Sequence, residues 1–80
     1  VKFPRDESGK NLVKRLSKLG YTITRQTGSH IRLTTYENGE HHITIPDHSP
    51  IKIGTLNSIF MDVCEHFGIG KEELMKRLYQ

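Results

Sequence analysis

The feature that most restricts how this chain folds is a pair of alternating stretches on either side of Gly28-Ser29. Tyr21 to Gln26 before it, and His30 to Tyr36 after it, alternate apolar and polar side chains with the period of a half-buried strand. Gly28 accommodates a positive φ at no steric cost, and Ser29 is suited to bonding its own backbone through its hydroxyl. The pattern therefore predicts two antiparallel strands, Tyr21 to Thr27 and His30 to Tyr36, joined by a tight turn. Parity then assigns the faces. If Ile31 and Leu33 face a core, His30, Arg32, Thr34 and Tyr36 share the opposite, wetter face. An imidazole beside a guanidinium on an open sheet face suits work on a phosphate ester. The plain alternative, which spacing alone favours, is a surface histidine at a turn.

A third strand can be placed by the same logic. Glu37-Asn38-Gly39 reads as a three-residue hairpin loop with Gly39 in the left-handed position of a G1 bulge, and Glu40 to Pro46 returns. Pairing Tyr36 with Glu40 sets Leu33 opposite Ile43 and Ile31 opposite Ile45, so the register is apolar on one face throughout. It also sets His30 opposite Pro46, brings His48 within reach of it, and leaves His42 on the polar face near Thr34. Adjacent strand residues point to opposite faces, so His41 and His42 cannot share one metal ion. With neither a helical histidine pair nor a carboxylate cluster, a metal site is not expected.

The flanking segments carry the 3.6-residue period. Val1 to Glu7, with Phe3 and Pro4, reads as an irregular lead-in. Ser8 is a suitable N-cap for a helix whose Leu12, Val13, Leu16 and Leu19 form one stripe, closed by Gly20. Its other side, Lys10, Lys14, Arg15 and Lys18, is a basic face, read first as solvated surface and second as a nucleic-acid contact. Asp47 to Ile53 is a predicted loop. A second helix follows with Thr55 as N-cap, the stripe Leu56, Ile59, Phe60, Val63, Cys64 and Phe67, and Gly68 as stop. A short last helix spans Lys71 to Leu78, acidic at its start and basic at its end, as the helix dipole favours.

The predicted order is α-β-β-β-α with a small terminal helix, an α+β domain covering residues 1–80. The economical packing puts both main helices on the face of Tyr21, Ile23, Ile31, Leu33, Ile43 and Ile45. The open face then carries Thr22, Thr24, Gln26, His30, Arg32, Thr34, His42 and Thr44, with no carboxylate, a surface that tolerates phosphates. At 80 residues the stability should be modest, and a net charge of +3 is compatible with a polyanionic partner without requiring one. A lone cysteine, Cys64, excludes an internal disulfide, fits a reducing cytoplasm and falls on the apolar stripe, where it reads as core. No apolar run approaches a membrane span and no secretory leader is evident, so a cytoplasmic protein without membrane contact is expected.

Four pieces in order then carry a resemblance: Leu19-Gly20-Tyr21, Arg25-Gln26-Thr27-Gly28-Ser29-His30, Ile43-Thr44-Ile45-Pro46-Asp47-His48, and Gly54-Thr55-Leu56-Asn57-Ser58-Ile59. Together they resemble the HicA (YcfA-like) toxins of bacterial and archaeal toxin–antitoxin pairs, from about Ser8 to Leu74. The resemblance implies a double-stranded-RNA-binding-domain-like fold and a ribosome-independent mRNA interferase activity. It implies that His30, the histidine of Gly-Ser-His, is catalytic, and that a HicB-type antitoxin covers the active face. Pro46-Asp47-His48 and Gly54-Thr55-Leu56 read as fold-shaping, with His48 and His42 as auxiliary candidates. Two departures stand out. Ile31 occupies a position that is often polar in the family, and the second helix is about four residues, close to one turn, longer than usual.

The chemistry expected of such a site needs no cofactor. RNA supplies its own nucleophile, the 2′-hydroxyl, so a base near it and positive groups near the phosphate suffice. His30 is the expected base. Arg32 beside it, Arg25 across the turn and Lys52 are the expected cationic contacts, and the Gly28 and Ser29 amides are further donors. The alternative function is a non-catalytic RNA-binding or protein-binding module on the same fold.

Overall fold

The structure is a computed structural model that describes residues 6–80. The lead-in expected at Phe3 and Pro4 lies outside the described residues. The element order is α1 (Gly9–Leu16), a 3₁₀ turn (Ser17–Leu19), β1 (Thr22–Thr27), β2 (His30–Thr35), β3 (His41–Pro46), α2 (Ile53–Phe67) and α3 (Lys71–Tyr79). The three strands form one antiparallel sheet in the order β1-β2-β3. This is the predicted α-β-β-β-α arrangement, the double-stranded-RNA-binding-domain-like layout, with an added C-terminal helix.

The Ser8 hydroxyl caps α1 by accepting from the Asn11 N–H at 3.1 Å. Leu12, Leu16 and Leu19 are buried, as their spacing predicts, and pack with Ile31, Leu33, Ile43 and Ile45 of the sheet. From α2, Leu56, Ile59, Phe60, Val63 and Cys64 complete that core, and Leu74, Met75 and Leu78 of α3 close it from the end. Burial pushes the Cys64 thiol pKa up, with the Lys71 charge opposing, so this sulfur is a core group and a poor nucleophile. The helix α2 begins at Ile53, two residues ahead of the expected Thr55 cap, and its N-cap Lys52 offers no side-chain bond.

One glycine decides how closely α1 approaches the sheet. A Cβ on Gly9 would lie 2.2 Å from the Pro46 carbonyl oxygen, and the Gly9 N–H donates to the His48 carbonyl at 2.9 Å. The Pro46-Asp47-His48 corner thus seats the start of α1, in keeping with a fold-shaping role. Part of the basic face of α1 also serves the fold. Arg15 pairs with the buried Glu7 at 2.7 Å and lies over the Tyr79 ring, 4.1 Å from its centroid. Tyr79 donates its hydroxyl to the same carboxylate, and Lys18 donates to the Leu78 carbonyl at 3.0 Å. Two of the four cations on that face therefore hold α3 in place.

Pairing between β2 and β3 follows the predicted register: His30 with Pro46, Ile31 with Ile45, Leu33 with Ile43 and Thr34 with His42. The loop between them differs from a simple G1 bulge. Asn38 itself takes a positive φ of 58° next to Gly39 at 101°, and its side chain donates to the His66 carbonyl at 2.8 Å, tying the loop to α2. The expected inward role of Ile23 is also corrected. It pairs with Leu33 on the helix side but is 53% exposed, because the helices pack beneath β2 and β3 and stop short of β1.

Candidate active site on the open sheet face

The turn that carries His30 has the predicted geometry. Gly28 takes φ +58° while Ser29 does not enter the positive region, the signature of a two-residue type II′ hairpin. Such a turn matches the twist of its strands, and it holds His30 at the first position of β2, paired with Thr27 on one side and Pro46 on the other. The Asp47 N–H donates to the Ser29 carbonyl at 2.7 Å, which fixes the turn to the exit of β3. The expected local bond from the Ser29 hydroxyl is not made among the described residues, which leaves that hydroxyl free for a ligand.

The faces are set by a bulge that the alternation did not reveal. Ile23 pairs with Leu33, but the next partner pair is Arg25 with Arg32, so Thr24 is an extra residue in β1. Its hydroxyl bonds the Thr34 hydroxyl at 3.0 Å and the Arg32 carbonyl at 3.4 Å, and so stays on the open face. From there to the turn, the parity of β1 is reversed. Arg25 and Thr27 join the open face, while Gln26, expected there, pairs with Ile31 on the other side. The open face consequently has three rows: Thr22, Thr34 and His42; Arg25, Arg32 and Thr44; Thr27, His30 and Pro46.

The rows differ in how their polar groups are used. In the first, Thr34 is buried rather than open, enclosed by Thr24 and His42. His42 donates through Nε2 to Glu40 at 2.7 Å and accepts from Thr34 through Nδ1 at 2.7 Å. Both its ring nitrogens are occupied, and a carboxylate therefore does reach this face, at its far end. In the other two rows His30, Arg25 and Arg32 are exposed, and among the described residues their side chains have neither hydrogen-bond nor ion-pair partners. The result is one imidazole and two guanidinium groups on a common face, beside a turn with free donors.

The remaining predicted residues lie at the same end of the sheet. His48 is exposed beyond the Asp47 bond to the turn, with its carbonyl engaged by Gly9. Lys52 stands at the start of α2 in the helical layer, next to Ile51, whose N–H donates to the Glu7 carbonyl at 2.8 Å. Among the described residues no group of three or more His, Cys, Asp or Glu is arranged to hold a metal ion.

Sequence reasoning did not foresee a second polar cluster beneath the sheet. His41 accepts from the buried Tyr21 hydroxyl at 2.7 Å and donates through Nε2 to Asp62 at 3.2 Å. Its ring stacks on that of His66 with centroids 4.4 Å apart, and His66 Nε2 donates to the Glu37 carbonyl at 2.9 Å. Burial, with the Asp62 charge adding to it, pushes the Tyr21 phenol pKa well above its usual value. The alternating parity of His41 and His42 was the signal available in the sequence. The contact with α2 was not.

No helix among the described residues is long and apolar enough to cross a membrane. No curated protein and no solved structure matches the chain. A family model does, over residues 9–69, a span that contains the turn, the bulge and all three strands. That model describes the HicA toxin of bacterial toxin–antitoxin systems, and this chain belongs to that family.

Proposed function

We propose that this toxin is an endoribonuclease that cuts mRNA without a metal ion, with His30 as general base. The observation that carries the reading is His30 at the II′ turn, exposed and without a side-chain partner among the described residues, on a face whose next row carries Arg25 and Arg32, likewise unpartnered among those residues. An imidazole titrates close to neutrality and so is suited to taking a proton at physiological pH. In the proposed reaction His30 accepts the proton of a ribose 2′-hydroxyl. The 2′-oxygen then attacks the adjacent phosphorus, the bond from phosphorus to the 5′-oxygen breaks, and the leaving oxygen takes a proton from water. The products are a 2′,3′-cyclic phosphate and a 5′-hydroxyl. The Ser29 hydroxyl and the Gly28 and Ser29 amides are donors for the phosphorane oxygens. His48 and His42 are auxiliary at most, and His42 is already held by Thr34 and Glu40. Lys52 contributes positive potential rather than a contact.

A toxin of this family has a cognate antitoxin. We take it to be HicB-type, acidic where it meets Arg25 and Arg32, and inhibitory because it covers His30. The site of action is the cytoplasm, where mRNA is found. The test is cleavage of a defined RNA by purified protein in EDTA, with product ends identified. Cyclic phosphate ends that disappear with His30→Ala support the reading. An RNA left intact by the folded wild-type protein refutes it. For the antitoxin, amide exchange of the complex should protect residues 28–36, and protection confined to α3 would place inhibition elsewhere.

A further inference from the structure

We propose that the β-bulge at Thr24 turns Arg25 and Arg32 into a two-guanidinium clamp for one phosphate of a single-stranded RNA backbone, the phosphate next to the one attacked at His30. This rests on the nuclease reading above and adds the group that fixes the register of the strand.

Like charges directly opposite each other in an antiparallel pair destabilise the sheet. Arg25 and Arg32 are such a pair. A regular β1 would avoid the conflict, because Thr24 would face Arg32 and Arg25 would turn to the helix side. The inserted residue sets the two arginines opposite each other on the open face, and the Thr24 hydroxyl holds the bulge to Arg32 and Thr34. The other described arginines are each neutralised: Arg15 by Glu7 at 2.7 Å and Arg77 by Glu73 at 3.1 Å. The third member of the row, Thr44, is uncharged, and Glu40 is engaged by His42. What this pair lacks among the described residues is an anion. A phosphodiester fits, since its two non-bridging oxygens can face one guanidinium each, and the planar forks bind phosphate in this way.

The neighbouring row fixes which phosphate. Arg32 and His30 are two residues apart on one strand, about 7 Å along the sheet. That separation is on the order of one nucleotide, so a strand whose scissile phosphate lies at His30 presents the adjacent phosphate to the clamp. The arginines then position the substrate and leave proton transfer to His30.

The probes are a single-stranded oligodeoxynucleotide, which lacks the 2′-hydroxyl and survives, and an RNA of the same sequence. The variants are Arg25→Gln, Arg32→Gln, the double Arg25→Gln/Arg32→Gln, and the exchange Arg25→Gln/Gln26→Arg, which conserves net charge. Thermal unfolding of each confirms a native fold. The proposal expects each single variant to weaken oligodeoxynucleotide binding by about tenfold or more, the scale of one charge-assisted contact. The exchange variant should bind as weakly as Arg25→Gln, because residue 26 faces the helix side. The double variant should lose less than the product of the singles, as expected when one anion bridges both. For RNA the loss should appear in KM more than in kcat. The proposal fails if the exchange variant binds like wild type, if the losses are independent, if kcat alone falls, or if wild type does not bind the oligodeoxynucleotide. Binding through the pair with RNA left uncut would keep the clamp and overturn the nuclease reading. RNA cleavage indifferent to all four variants would do the reverse.

Discussion

The two faces of the sheet carry histidines in opposite circumstances. Beneath the sheet, His41 is held by Tyr21, Asp62 and the ring of His66, and His66 in turn by the Glu37 carbonyl. On the open face near the turn, His30 has no such partners among the described residues, and neither do Arg25 and Arg32. Hydrogen-bonded, half-buried polar groups fix a unique packing and leave no valence for a ligand. Exposed polar groups gathered by strand register, with their bonding capacity open, are free to act on something else. Residue type does not separate the two regions, since both are rich in histidine. Engagement does.

The sharpest way to test that contrast is His30→Ala. Cleavage should fall by about 10²–10⁴-fold, the usual loss of a general base, with the unfolding midpoint unchanged. Residual activity within threefold of wild type, measured on a folded variant, would break the comparison outright. His41→Ala should do the opposite. It strands the buried Tyr21 hydroxyl and should reduce stability by about 1–3 kcal/mol in urea titration, with kcat unaltered. Loss of cleavage at full stability would show that the lower cluster also takes part in chemistry.

Tyr21→Phe sharpens the same side with a smaller effect, about 1 kcal/mol at neutral pH. Its pH dependence has a definite sign. Because the folded-state phenol pKa lies above the unfolded value near 10, the contribution is complete below about pH 10 and is lost as pH rises beyond it. Tyr79 acts in the same direction, its phenol pushed up by burial and then by its bond to Glu7 and that carboxylate's charge, against a smaller opposing effect of Arg15. Unfolding midpoints between pH 8 and about 11.5 should therefore fall at the alkaline end, less steeply in Tyr21→Phe and Tyr79→Phe. An identical fall in both variants would remove the phenols from the account. The smallest expected effect is none: cleavage in EDTA should match cleavage without it. Mg²⁺-reversible loss would show that the open face works through a metal.

Several features were legible in the sequence because they depend on local periodicity. The stripe Leu12, Leu16, Leu19 and its Ser8 cap, a tight turn with positive φ at Gly28, and the pairing of Ile31 and Leu33 with Ile45 and Ile43 all follow from residue type and spacing. His30 was legible for the same reason, as the first residue of a strand whose phase its apolar neighbours set. The two wrong assignments, Gln26 outward and Ile23 buried, have separate causes. A bulge shifts parity by one residue without changing the apparent alternation, and the extent of helix cover over β1 is not encoded in β1 itself.

The sequence by itself determined the order of elements, the register of the second hairpin and the face on which His30 stands, because periods of 2 and 3.6 report burial directly. Only the tertiary structure decided which polar groups are occupied. Thr34 was enclosed by Thr24 and His42, and the ring nitrogens of His42, itself still exposed, were taken up by the Thr34 hydroxyl and the Glu40 carboxylate. Arg25 was brought to Arg32 by one extra residue in an edge strand. Such outcomes depend on three-dimensional neighbours several residues or whole elements away, and a side chain's remaining hydrogen-bonding capacity is set by those neighbours rather than by its own place in the chain.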